Sequence, residues 1–104
     1  MTLKTDKRRR SERFAIYAAM ILRAADREVV ARGQALNMSA NGLFVVTTEP
    51  ADVPVNEQVI VELSQPQPNG QAGRQVTEYH CRVVRRVQMG HLTGMGMEFA
   101  TPAD

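Results

Sequence analysis

Cysteine is almost missing from this chain of 104 residues: Cys81 stands alone, so no disulfide can close within it and nothing calls for an oxidising compartment. Aromatic residues are scarce, with three Phe, two Tyr and no Trp, so a core has to be built on Val, Leu, Ile, Ala and Met. The two histidines, His80 and His91, are eleven residues apart with no Cys or carboxylate at metal-ligand spacing, which argues against a zinc site. No G-x-x-x-x-G-K, G-x-S-x-G or G-x-G-x-x-G occurs, removing the commonest phosphate-loop, nucleophile-elbow and dinucleotide signatures. Cys81 falls on the inward row of a strand pattern, where a structural thiol is expected rather than a nucleophile. No catalytic residue, metal or cofactor is expected, and the chain reads as a non-enzyme.

Long apolar runs are absent too. Phe14 to Leu22 follows a basic start, but it lacks a small-residue cleavage site and is too short to span a bilayer. The reading is therefore a soluble, unprocessed, cytoplasmic protein without membrane insertion. At this length a single core is the ceiling.

Charge is unevenly spread. Residues 1–13 hold Lys4, Lys7, Arg8, Arg9, Arg10 and Arg13 against Asp6 and Glu12, a local excess of +4, so the remaining 91 residues sum to −2. A mildly acidic body with one basic arm suggests a localised anionic partner. The division expected is an arm over residues 1–13 and a β domain over residues 14–104.

Turn signals punctuate that body at regular intervals: Asp26-Arg27, Asn41-Gly42, Glu49 to Pro54, Gln65 to Gly70 and Met89-Gly90-His91. Such spacing fits an all-β barrel or sandwich. The pieces between them alternate with the period of two that puts one strand face in a core. Val59, Val61 and Leu63 oppose Gln58 and Glu62. Tyr79, Cys81, Val83 and Val87 oppose Glu78, His80, Arg82 and Arg86, with Val84 and Arg85 breaking the pattern. Phe14 to Arg23 is apolar on both faces and Ala-rich, but the turn at Ala24 to Arg27 favours a strand there, followed by another over Glu28–Leu36. Met95 and Met97 read as core filler, with Gly94 and Gly96 leaving room for a neighbouring backbone or a tight barrel bend. Only Thr101 to Asp104 follow, too few for a terminal helix.

Two motifs remain. Arg9-x-x-x-Arg13 is the one register of the arm that spaces two arginines by four, since Arg8 meets Glu12 and Arg10 meets Phe14. Two guanidinium planes so placed can fork around phosphate oxygens or guanine O6/N7 and stack on a purine face. The second motif, Asn37-x-Ser39-x-x-Gly42, ends one strand and opens the next. Strict alternation puts Ala35, Asn37 and Ser39 on an outward platform with Leu36 and Met38 inward. Asn41-Gly42 is expected to form a two-residue type I′ turn, which requires positive φ at both residues, with Gly42 also keeping bulk off the platform.

Taken together, Arg9-x-x-x-Arg13 and Asn37-x-Ser39-x-x-Gly42 resemble the paired motifs of PilZ domains, bacterial receptors for cyclic di-GMP. Gly33 to Val45 looks like that family's strand–turn–strand. Val55 to Leu63 is similar to its next strand, and Gly94-Met95-Gly96-Met97-Glu98-Phe99 to its closing strand. The resemblance covers about residues 7 to 100. Asn37 stands where many members have Asp.

The resemblance implies a small antiparallel six-stranded β-barrel with little or no C-terminal helix, and a flexible basic arm that folds over the ligand. It implies that Arg9 and Arg13 contact phosphates and guanine, that Asn37 and Ser39 meet a guanine edge, and that Gly42 shapes the turn. The arm's arginines should repel one another until a ligand with two phosphates orders them, changing the surface shown to a partner protein in trans. Arg8 and Arg10 either help hold a stacked ligand dimer or stay solvated, and Arg85 and Arg86 either add a cation beside the site or serve the surface. Two other readings are a barrel that has lost the ligand and only binds proteins, and a nucleic-acid binder. The body lacks the interleaved aromatic and basic residues that the latter needs, so no nucleic acid is expected.

Overall fold

The computed structural model describes residues 12–49 and 51–100, so Arg8, Arg9 and Arg10 lie outside the described residues. Six antiparallel strands carry the chain: β1 (Phe14–Ala24), β2 (Val29–Met38), β3 (Gly42–Thr47), β4 (Gln58–Pro66), β5 (Arg74–Met89) and β6 (Leu92–Phe99). They close into one barrel in the order β1-β2-β3-β6-β5-β4. Closure gives every strand two hydrogen-bonded neighbours. The only helical piece among the described residues is a single 3-10 turn, Pro68–Gly70. The Ala-rich segment over Phe14 is a strand, as its flanking turn signal implies.

The core follows from the alternation. Val59, Val61, Leu63, Cys81 and Val83 point inward and meet Leu22, Leu43, Val45, Met95 and Met97. Tyr79 and Phe99 stack against this cluster with ring centroids 5.1 Å apart. Two buried hydroxyls are satisfied: Thr47 Oγ1 donates to the Glu49 carbonyl at 2.5 Å, and Thr93 Oγ1 accepts the Ala51 N–H at 3.4 Å. Burial pushes the Cys81 thiol up to about 12, which keeps it protonated and unreactive at neutral pH.

Three expectations fail where an extra residue breaks the parity of two. Between Ala15 and Ala18 the β1–β2 pairing shifts register, and between Ala35 and Asn37 the β2–β3 pairing does the same. These are β-bulges, which bend a strand and re-aim its side chains. Tyr17 sits in the first with φ of 46° and its side chain exposed. Because of the second, Ala35 is buried in the core rather than facing outward, and Leu36 lies outside rather than inside. Asn37 faces outward and Met38 inward, as alternation alone predicts. A further shift between Val83 and Arg85 accounts for the break in the β5 pattern, and beyond it Val87 is 39% exposed instead of lining the core.

Candidate ligand-binding site

The β2–β3 connection is built from backbone contacts, not from a type I′ turn. Neither Asn41 nor Gly42 has positive φ. The Ser39 N–H donates to the Gly42 carbonyl at 2.8 Å, and the Asn41 N–H donates to Ser39 Oγ at 3.2 Å. The Phe99 N–H donates to the Asn41 carbonyl at 2.8 Å, tying the turn to the end of β6. Ser39, expected on the outward platform beside Asn37, is buried instead, so its hydroxyl serves as an internal brace of the turn. Gly42 is needed for a different reason from the one expected: a Cβ there would fall 1.9 Å from the Met97 carbonyl oxygen. Strand β6 presses against this position, and only glycine lets it do so.

That anchored turn fixes Asn37 just upstream. On the other side of Asn37, the β1 bulge lets Ala15 pair opposite it, and Arg13 reaches back over the same spot. The Arg13 guanidinium donates to Asn37 Oδ1 at 2.6 Å across a sequence separation of 24. A neutral amide does not cancel the charge of Arg13. By contrast, Arg23, Arg27 and Arg82 each face a carboxylate, Glu62, Glu78 and Glu98, at 3.1, 2.7 and 2.6 Å. The Arg27 pairing raises the guanidinium pKa and lowers that of Glu78, chiefly through their hydrogen bond. The arginines of the body are thus mostly compensated, whereas among the described residues no carboxylate faces the one beside Asn37.

The outward row continues past Asn37. Asn37 pairs with Phe44, Phe44 with Gly96, and Gly96 with Arg85. Here Gly94 makes room for a side chain, not for the neighbouring backbone expected of it. A Cβ on Gly94 would lie 2.7 Å from Phe44 Cζ, and one on Gly96 would meet Arg85 Cβ at 3.6 Å. Phe44 escaped notice in the sequence because a lone aromatic in a strand looks like core. The signal was its opposite parity to Leu43 and Val45, both fully buried.

Of the predicted site residues, the structure brings together Arg13, Asn37, Ser39 and Gly42: the first two touch, and the last two hold the turn that places Asn37. Arg9, and with it Arg8 and Arg10, lies outside the described residues. Among the described residues no cluster of His, Cys, Asp or Glu is arranged to hold a metal ion, and no helix is long and apolar enough to cross a membrane.

The same fold recurs in solved proteins. The inhibitor of motility MotI/DgrA of Bacillus subtilis superposes with a TM-score of 0.69 at 18% identity over 92% of this chain. The chain spans 44% of that protein's length. The PilZ domain of YcgR from Escherichia coli, solved with c-di-GMP, superposes with a TM-score of 0.62 at 18% identity, over 90% of this chain and 79% of its own. No curated protein sequence matches. Identities this low speak to the fold alone, but the PilZ domain family model matches residues 7–104, and a match over nearly the whole sequence makes this chain a member of the PilZ domain family.

Proposed function

We propose that this chain is a cyclic di-GMP receptor that works as an adaptor. PilZ domains are receptor and adaptor domains, and the E. coli relative of this fold was solved with c-di-GMP. One observation carries the reading to these residues: the 2.6 Å hydrogen bond from Arg13 to Asn37 joins two motifs 24 residues apart into one outward-facing site.

In this reading Arg9 and Arg13 clamp the phosphates and a guanine edge as bidentate donors, with no carboxylate paired to Arg13 among the described residues. Asn37 keeps Arg13 in place through its Oδ1 and turns its Nδ2 to the base, while Ser39 and Gly42 keep the turn rigid beneath it. Arg8 and Arg10 supply further positive charge. Drawing residues 1–13 over the domain of residues 14–104 changes the face that a partner protein meets, which is how an adaptor passes a signal on. The compartment proposed is the cytoplasm.

Calorimetric titration with cyclic di-GMP tests this, alongside single-stranded RNA. Saturable binding of the dinucleotide is expected, weakened ~50-fold or more by Arg13→Ala, the scale of a lost charge-assisted contact. Absence of heat with the wild type leaves a protein-binding module, and salt-sensitive RNA binding in its place leaves a nucleic-acid binder.

A further inference from the structure

Strand β5 is 16 residues long and β6 only 8, so the two neighbours of β5 do not cover it equally. β4 pairs with residues 74–82 of β5, and β6 with residues 81–89. The Ala100 N–H donates to the His80 carbonyl at 2.7 Å, and among the described residues no backbone bond follows on that side. Residues 74–79 of β5 are therefore a sheet edge.

The ladder's alternation says which groups that edge offers. His80 turns its carbonyl toward the β6 side, whereas Val83, three residues on, bonds Asn56 and Glu57 on the β4 side at 2.7 and 3.0 Å. Pairing with β4 runs without a register shift, so Arg74, Val76 and Glu78 share the direction of His80 and turn their N–H and C=O groups to the open side. Natural edges are commonly blunted by proline, lysine or a bulge. Residues 74–79 hold none of these, and Val76 in their midst is 56% exposed.

An open strand can be met by its own copy when the antiparallel register matches. Centred on Val76, the register sets Val76 against Val76, Gln75 against Thr77, and Arg74 against Glu78 of the second copy. Outward amides then face outward amides, and opposite charges meet at both ends. Other registers do worse. Centring on Glu78 or on Arg74 sets a charge against itself, centring on Gln75 or Thr77 leaves Glu78 without Arg74, and centring between residues faces outward amides with ones turned to β4. Arg74 donates only to the neutral Ser64, at 2.7 Å to the hydroxyl and 2.9 Å to the carbonyl, so it has a charge to offer. Exposed ion pairs add little singly, so these choose the register more than they supply the affinity.

We propose that two copies of this chain pair through residues 74–78 of β5, antiparallel about a twofold axis at Val76, so that the β4–β5 hairpins join into one four-stranded sheet. The occupant is a second copy because the edge is complementary to itself in charge and in amide direction. So short a strand pair buries less than the ~1,200 Å² of stable interfaces, and the expected Kd is on the order of 100 µM. The pairing needs no ligand and stands apart from the receptor reading.

The test is sedimentation equilibrium on the full chain without ligand, from ~10 µM to ~1 mM, comparing the wild type with Val76→Pro, Val76→Lys, Arg74→Glu and Arg32→Glu. Val76→Pro removes an N–H that faces outward, so the ladder to β4 keeps its bonds. Val76→Lys keeps that N–H and sets like charges face to face. Arg32 is an exposed arginine of β2, so its reversal makes the same charge change elsewhere. Thermal melts by circular dichroism confirm that each variant is folded. Self-association of the wild type is expected, weakened ~10-fold or more by either Val76 variant, ~5-fold by Arg74→Glu, and within about twofold of wild type for Arg32→Glu. Val76→Cys should also link to itself under mild oxidation, since a hydrogen-bonded pair sets its Cα atoms ~5.5 Å apart, within disulfide reach, whereas Val29→Cys, on an exposed site of β2, should not. A wild type that stays monomeric throughout overturns the proposal, as does a dimer that survives both Val76 variants. Equal effects of Arg74→Glu and Arg32→Glu, or equal cross-linking of the two cysteine variants, overturn the register.

Discussion

Asn-Gly occurs twice in this chain, once in the β2–β3 connection and once in the β4–β5 connection, and the two copies obey different physics. At Asn69-Gly70 the backbone has φ of 64° and 72°, and no atom lies within 4 Å of where a Gly70 Cβ would stand. That copy is glycine used for its conformational freedom, at an exposed tip. At Asn41-Gly42 neither φ is positive, and a Gly42 Cβ would collide with the Met97 carbonyl at 1.9 Å. That copy is glycine used for close approach. The same dipeptide therefore makes a turn in one place and seats a strand in the other. The seated one carries the candidate site.

Substitution should separate the two most sharply at the glycines. Gly42→Ala is expected to cost about 3 kcal/mol, because backbone and not a flexible side chain has to yield, a fall of ~15 °C in thermal midpoint for a domain of this size. Gly70→Ala should cost only about 1 kcal/mol, the penalty of the left-handed region. Equal losses in urea titrations would mean that Gly42 serves the turn after all.

Between these lies Ser39→Ala, which removes the acceptor of the Asn41 N–H and should cost about 1–2 kcal/mol. It should also weaken cyclic di-GMP several-fold by letting Asn37 drift. An unchanged affinity at reduced stability would confine Ser39 to folding. The smallest effect belongs to Gly70→Asn. Asparagine tolerates positive φ, so stability should stay within ~0.5 kcal/mol of wild type and ligand affinity should not change; a loss at this tip equal to that at Gly42 would end the contrast.

This comparison also marks where the sequence was readable. The strand alternation of Val59, Val61 and Leu63, and of Cys81 and Val83, is visible because each runs unbroken against a regular partner. The bulges are not visible: an extra residue carries no composition of its own, so Ala35 and Leu36 exchange faces without warning. The positions of Arg13, Asn37, Ser39 and Gly42 stood out as motifs, but the reason for Gly42 did not, since the obstacle is a carbonyl of β6 more than 50 residues away. Phe44 and Arg85 become neighbours only through the β3–β6–β5 order, which local patterns do not encode.

The central claim is that Arg13 and Asn37 form one site for one ligand, and a double-mutant cycle on cyclic di-GMP affinity tests it most directly. Arg13→Ala alone should weaken binding ~50-fold and Asn37→Ala ~10-fold. The account predicts that the double variant is little worse than Arg13→Ala. Losses that multiply to ~500-fold would show two independent contacts and contradict it.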